Sequence, residues 1–132
     1  MQDTLTILAT HVRRVLEDYC RGSAEPLWDT FPSGSCGPAS ELLGRYLEMH
    51  GWKPVRYVWG NRRRQSHGWV EVGGFIVDIT ADQFGLPSVF VAEGSEWHEG
   101  WQREDISAIC YPENWPAYLH EAWKAIMGAG GN

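Results

Sequence analysis

The sequence predicts a single α+β domain, and three observations lead there. Apolar residues recur at helical spacing near the N-terminus, again before Gly51, and again near the C-terminus. Between the second and third of these runs lie β-branched and aromatic stretches punctuated by turns. Two of those stretches are joined by Gly73-Gly74, a two-residue hairpin signal that makes neighbouring strands antiparallel. The order is therefore helix, helix, several antiparallel strands, helix, with no alternation of strand and helix that would give a parallel sheet.

Leu5, Leu8, Val12, Val15, Leu16 and Tyr19 place the first helix over residues 4–20, and Gly22 can end it. Residues 22–35 are rich in Gly, Pro and Ser and read as a loop. A second helix is expected from Cys36 to about His50, with Leu42, Leu43, Tyr46 and Leu47 on its apolar face and Gly51 beyond its end. Pro38 fits because it falls in the first turn, where a missing N–H costs nothing. Strands are expected over 55–59, 69–72, 75–80, 88–91 and 106–111, with a basic loop over 61–65. A last helix covers about 115–127, and Gly128 to Asn132 read as a fraying tail.

Composition narrows the class of function. The 132 residues are 43% hydrophobic and 21% charged, which are globular values and exclude disorder or a coiled coil. The whole chain 1–132 is expected to be one domain. The net charge of −6 argues against a nonspecific grip on nucleic acid. No apolar run approaches a membrane span, and the first residues lack the basic and apolar regions of a signal peptide. Three cysteines, Cys20, Cys36 and Cys110, form no Cys-x-x-Cys pair. The expectation is a cytoplasmic protein with free thiols, delivery as an effector by another route being compatible with that.

Cys36 stands at a loop-to-helix junction, in Ser35-Cys36-Gly37-Pro38-Ala39. A helix N-terminus carries partial positive charge and unpaired N–H groups, which favour a thiolate and can hold an oxyanion. A small buried cysteine would need none of this, so the hairpin decides the reading. With Gly73-Gly74 as its turn, Val70, Val72, Phe75, Val77 and Ile79 share one face. His67, Trp69, Asp78 and Thr80 share the other. Asp78 is then the diagonal neighbour of His67, roughly 7–8 Å away between backbones and within side-chain reach. A one-residue slip would put Asp78 on the wrong face. In this register Cys36, His67 and Asp78 can act as nucleophile, base and orienting acid.

These residues, with the stretches Ser66-His67-Gly68-Trp69-Val70-Glu71-Val72 and Phe75-Ile76-Val77-Asp78-Ile79-Thr80, resemble the transglutaminase-like branch of the papain-like cysteine protease superfamily. The resemblance runs from about Ser35 to Phe84. It implies a helix headed by the cysteine, packed on an antiparallel sheet that carries the histidine and the aspartate. It also implies Cys36 as nucleophile, His67 as general base and Asp78 as its orienter. Two departures accompany it: the interval from Cys36 to His67 is short, and no Gln lies between Gln2 and Cys36 to supply a second oxyanion donor. Ser33, Ser35 and Gln83 are the candidates for that donor, Gln83 first because it follows the aspartate strand. Trp69 stands beside the proposed pair as cleft wall.

Other features are secondary. Arg62, Arg63 and Arg64 could bind an acidic substrate or a peptide carboxylate, although a solvated loop explains them as well. Trp97 to Trp101 could line the cleft as a lid or pack as a surface loop. His67, Asp78 and His98 could be imagined around a metal, but no ligand spacing supports one and none is expected. Likewise no cofactor is expected. The function expected is a cysteine-dependent amide hydrolase, a peptidase or Gln deamidase working through an acyl-enzyme on a peptide or protein. Transglutaminase-type transfer to an amine and a non-catalytic binding module with the same fold are the alternatives. Neither nucleic acid nor membrane is an expected partner.

Overall fold

A computed structural model describes residues 1–23, 25–109 and 112–128. The expected strand at Cys110 and the tail from Ala129 to Asn132 lie outside them. The α+β class is as expected. Helix α1 spans Gln2–Gly22, α2 Cys36–Met49, α3 Glu96–Glu99 and α4 Ala117–Gly128. Strands β1 (Val55–Arg62), β2 (Gln65–Val72), β3 (Phe75–Asp78), β4 (Phe90–Ala92) and β5 (Gln102–Ala108) form one sheet in the order β4-β3-β2-β1-β5. Every neighbouring pair is antiparallel. Among the described residues no helix is long and apolar enough to cross a membrane.

The hairpin has the register that the Gly-Gly turn predicts, with Val70 opposite Val77 and Val72 opposite Phe75. Gly73 and Gly74 both take positive φ, which a tight hairpin turn of this length favours. Val70, Val72, Phe75, Val77 and Ile79 then pack with Leu5, Val12 and Leu16 of α1, Leu42, Leu43 and Leu47 of α2, and Leu119 and Ile126 of α4. One sheet face is thus covered by helices whose apolar stripes recur every three or four residues.

Several boundaries differ from expectation: β4 is Phe90–Ala92 rather than 88–91, α3 at Glu96–Glu99 is not among the expected helices, and three further differences have a plain physical reason. The basic loop at 61–65 is shorter, because β1 and β2 pair as far as Arg62 and Gln65 and leave Arg63-Arg64 as the turn. The last strand begins at Gln102 rather than at 106. Its residues Gln-Arg-Glu-Asp-Ile-Ser-Ala are mostly exposed at the sheet edge, so no alternation of apolar residues marks them. Ile79 and Thr80 leave the strand for a 3₁₀ turn at Ala81–Phe84.

That turn is tied to α1. Arg13, on the buried side of α1, donates to both carboxylate oxygens of Asp82 at 2.7 and 2.8 Å and to the carbonyl of Ile79 at 2.8 Å. Burial opposes the charge of Arg13, but the hydrogen bonds to Asp82 and Glu17 outweigh it and raise the pKa. The pairing fixes the segment just after Asp78, which carries Gln83.

Candidate active site

Cys36 is the first residue of α2, whose N-terminus has no side-chain cap. The first N–H groups of a helix lack intrahelical partners. Pro38 has none to satisfy, and the N–H of Ala39 bonds to the carbonyl of Ser35. The N–H groups of Cys36 and Gly37 therefore stand at the head of the helix beside the sulfur. Cys36 is half-buried, and its sulfur is near enough to His67 to raise the proton affinity of the ring.

His67 lies on β2 and has no solvent exposure. Its Nε2–H donates to Asp78 Oδ2 at 2.7 Å, which leaves Nδ1 for the thiol. Asp78, at the end of β3, also accepts the backbone N–H of Thr80 on Oδ1 at 3.0 Å. Burial lowers the pKa of His67, but hydrogen bonds and charge from Asp78 and Cys36 outweigh it and raise it to about 9. Burial alone would raise the Asp78 pKa; the bonds from His67 and His98 outweigh it and hold it below the usual carboxylate range. The structure thus brings the three sequence-predicted residues together.

The other predicted residues fare unequally. Gln83 joins the site, with Nε2 3.5 Å from His67 Nδ1 and 3.0 Å from the Thr80 carbonyl, to which it donates. Ser35 is buried, but its hydroxyl is occupied by the Pro32 carbonyl at 3.2 Å. Ser33 is exposed. Trp69 is fully buried and donates to Glu71 at 2.9 Å, so it walls the histidine from behind rather than lining an open cleft. Arg62 lies over the rings of Trp97 and Trp101, at 5.3 and 4.5 Å from their centroids, whereas Arg63 and Arg64 are exposed at the turn.

The segment from Trp97 to Trp101 is packed, with Trp101 and His98 buried. Phe84, Trp97, Trp101 and Trp69 surround the His67 ring at centroid distances of 5.1 to 5.7 Å. A cavity of about 750 Å³ lies elsewhere, between Glu71, Phe75, Glu93 and Arg103, and Cys36 is not in its wall. His67 and Asp78 are not in its wall either.

Two residues enter the site in ways the sequence does not signal: it groups His98 with His67 and Asp78 only as an unsupported metal set, and Tyr57 only as a strand residue. His98 also donates from Nε2 to Asp78 Oδ2, at 2.7 Å. With His67 and Asp78 it forms a trio whose ligand atoms lie within 4.8 Å of one another. Ligands on a tetrahedral metal would stand about 3.3 Å apart, so these N–O separations suit shared protons better than a shared cation. Tyr57, on β1, points its hydroxyl into the seam between the helix head and the histidine strand. A Cβ placed on Gly68 would lie 2.3 Å from that oxygen, and one on Gly37 3.5 Å from it. Burial first, then the neighbouring Cys36, Glu41 and Asp105, raises the Tyr57 pKa, so its hydroxyl stays protonated.

No family model matches the chain, and neither a curated protein nor a solved structure matches it.

Proposed function

We propose that this chain is a cysteine-dependent amide hydrolase with a papain-like, transglutaminase-like core. One observation carries the reading: an imidazole that donates to a buried carboxylate at 2.7 Å and whose proton affinity is raised by a thiol at a helix head. In this reading the Cys36 thiolate attacks the amide carbonyl, and the helix-head N–H groups of Cys36 and Gly37 hold the oxyanion. The amide of Gln83, beside Nδ1, supplies a further donor. His67 takes the thiol proton on Nδ1 as the thiolate forms and gives it to the leaving amine, and the acyl group remains on sulfur as a thioester. Water, deprotonated by His67, then cleaves the thioester, and that proton returns to the sulfur. Asp78 accepts from Nε2–H throughout and holds the ring in place. The substrate class is a peptide or protein amide. Transfer to an amine shares the acyl-enzyme and differs only in the group that deacylates it.

Iodoacetamide labelling of the native protein across pH, read per cysteine by mass spectrometry, tests the reading. Cys36 is expected to label fast below about pH 8 and to lose that reactivity in His67→Ala. Cys20 is the internal reference, because burial pushes its thiol up to about 11. Equal and slow labelling of Cys36 and Cys20, or indifference to the loss of His67, would favour a binding module that keeps the fold.

A further inference from the structure

His98 and His67 contact the same atom. Each Nε2 lies 2.7 Å from Asp78 Oδ2, and both rings have no solvent exposure. Ser95 Oγ accepts the backbone N–H of His98 at 3.1 Å and lies 2.6 Å from Nδ1, where its O–H can donate. With Nδ1 accepting, a neutral ring must bear its proton on Nε2, facing Asp78. Trp69, Trp97 and Phe90 hold the ring in place, with centroids at 4.8, 4.8 and 4.9 Å.

We propose that His98 is a positioning residue for the nucleophile's base: an imidazole whose Nε2–H shares Asp78 Oδ2 with His67 and so fixes the carboxyl that aims His67 at Cys36. This rests on the hydrolase reading above. The carboxylate is held by three donors: Thr80 N–H on one oxygen and the two imidazoles on the other. Removing His98 leaves Oδ2 with His67 as its one imidazole donor and the carboxyl less restrained about its Cβ–Cγ bond, so the His67 ring is aimed less narrowly. The ionisable groups against His98 are Asp78 from β3 and His67 from β2. β4 presents Phe90, Glu71 and Arg103 stand beyond Trp69, and Arg62 stands beyond Trp97.

The test has two parts. Nitrogen-15 correlation spectra of the histidine rings in the unaltered protein are expected to show a proton on Nε2 of His98. An Nε2 without a proton overturns the assignment. The pH profile of Cys36 labelling is then compared among the unaltered protein, His67→Ala, His98→Phe and His98→Gln. Gln places an N–H near the position of Nε2. His98→Phe is expected to slow labelling at neutral pH about tenfold, close to 1.4 kcal/mol, and to move the profile about one unit higher. His98→Gln is expected to stay within about threefold of the parent. An unchanged His98→Phe, or a His98→Gln as slow as His98→Phe, overturns the positioning role. Should His98→Phe not fold, Ser95→Ala keeps the buried ring and frees its tautomer; slower labelling supports the role and an unchanged profile overturns it. If labelling in the parent ignores His67, the hydrolase reading itself falls and takes this one with it. If labelling depends on His67 but not on His98, only the role of His98 falls.

Discussion

On one face of the sheet, α1, α2 and α4 lay aliphatic side chains such as Leu16, Leu43 and Leu47 over Val70 and Val77. On the other, Trp69, Ile76, Trp101 and Val58 form a smaller cluster, edged by Phe84, Phe90 and Trp97. That second face also encloses His67, Asp78 and His98, all buried. The first face is held chiefly by aliphatic area removed from water. The second spends its burial on keeping water away from a carboxylate and two imidazoles. Rings suit that task, because they cover area with few rotatable bonds and offer their edges to neighbouring imidazoles. The comparison teaches that burial stabilises the fold on one face and tunes proton affinity on the other.

Breaking the second face at its centre has the largest expected effect. Asp78→Ala leaves two buried imidazoles without their acceptor. It is expected to cost about 3–5 kcal/mol in urea unfolding and to abolish fast Cys36 labelling. On the first face, Leu47→Ala opens a cavity and is expected to cost about 2–5 kcal/mol. In that variant the protein that remains folded should label at Cys36 as the parent does, which separates stability from chemistry.

The pH dependence of stability sharpens the contrast further. The folded pKa of His67 is raised from 6.5 to about 9. Its contribution is therefore fully present below pH 6.5 and is lost as the pH rises through about 9. The loss is on the order of 3 kcal/mol. Melting temperatures should fall across that window in the parent and stay flatter in His67→Gln. The smallest effect is expected at the rim, where Arg62→Gln removes the cation from Trp97 and Trp101 at a cost of about 0.5–1 kcal/mol. Indole fluorescence and thermal melts would read it.

The two faces also differ in how far the sequence discloses them. Gly73-Gly74 fixes the hairpin register, and with it both the aliphatic face and the diagonal placement of Asp78 against His67. Cys36 is legible because loop composition changes to helical periodicity just there. By contrast, His98 acts across 20 positions of sequence from Asp78, on a helix of four residues too short to show a period. Its one local signal is Ser95, three residues earlier, as a helix cap. Tyr57 reads as an ordinary strand aromatic, since nothing local shows that its hydroxyl reaches the helix head. β5 is hidden by its exposure: an edge strand of charged residues carries no apolar alternation.

The fit between Tyr57 and Gly68 makes the two positions one unit of variation. A methyl group at 68 would stand 2.3 Å from the phenolic oxygen, with two ring carbons at 2.5 and 2.7 Å. A side chain at 68 therefore requires the Tyr57 ring to move. Shortening 57 is what opens 68 to Ala or Ser. Scanned singly, position 68 should tolerate nothing but Gly; scanned as a pair, it should accept small residues wherever 57 is small. Relatives of this chain, when aligned, should show the same joint substitution, and a large residue at both positions should be a combination that no folded member carries.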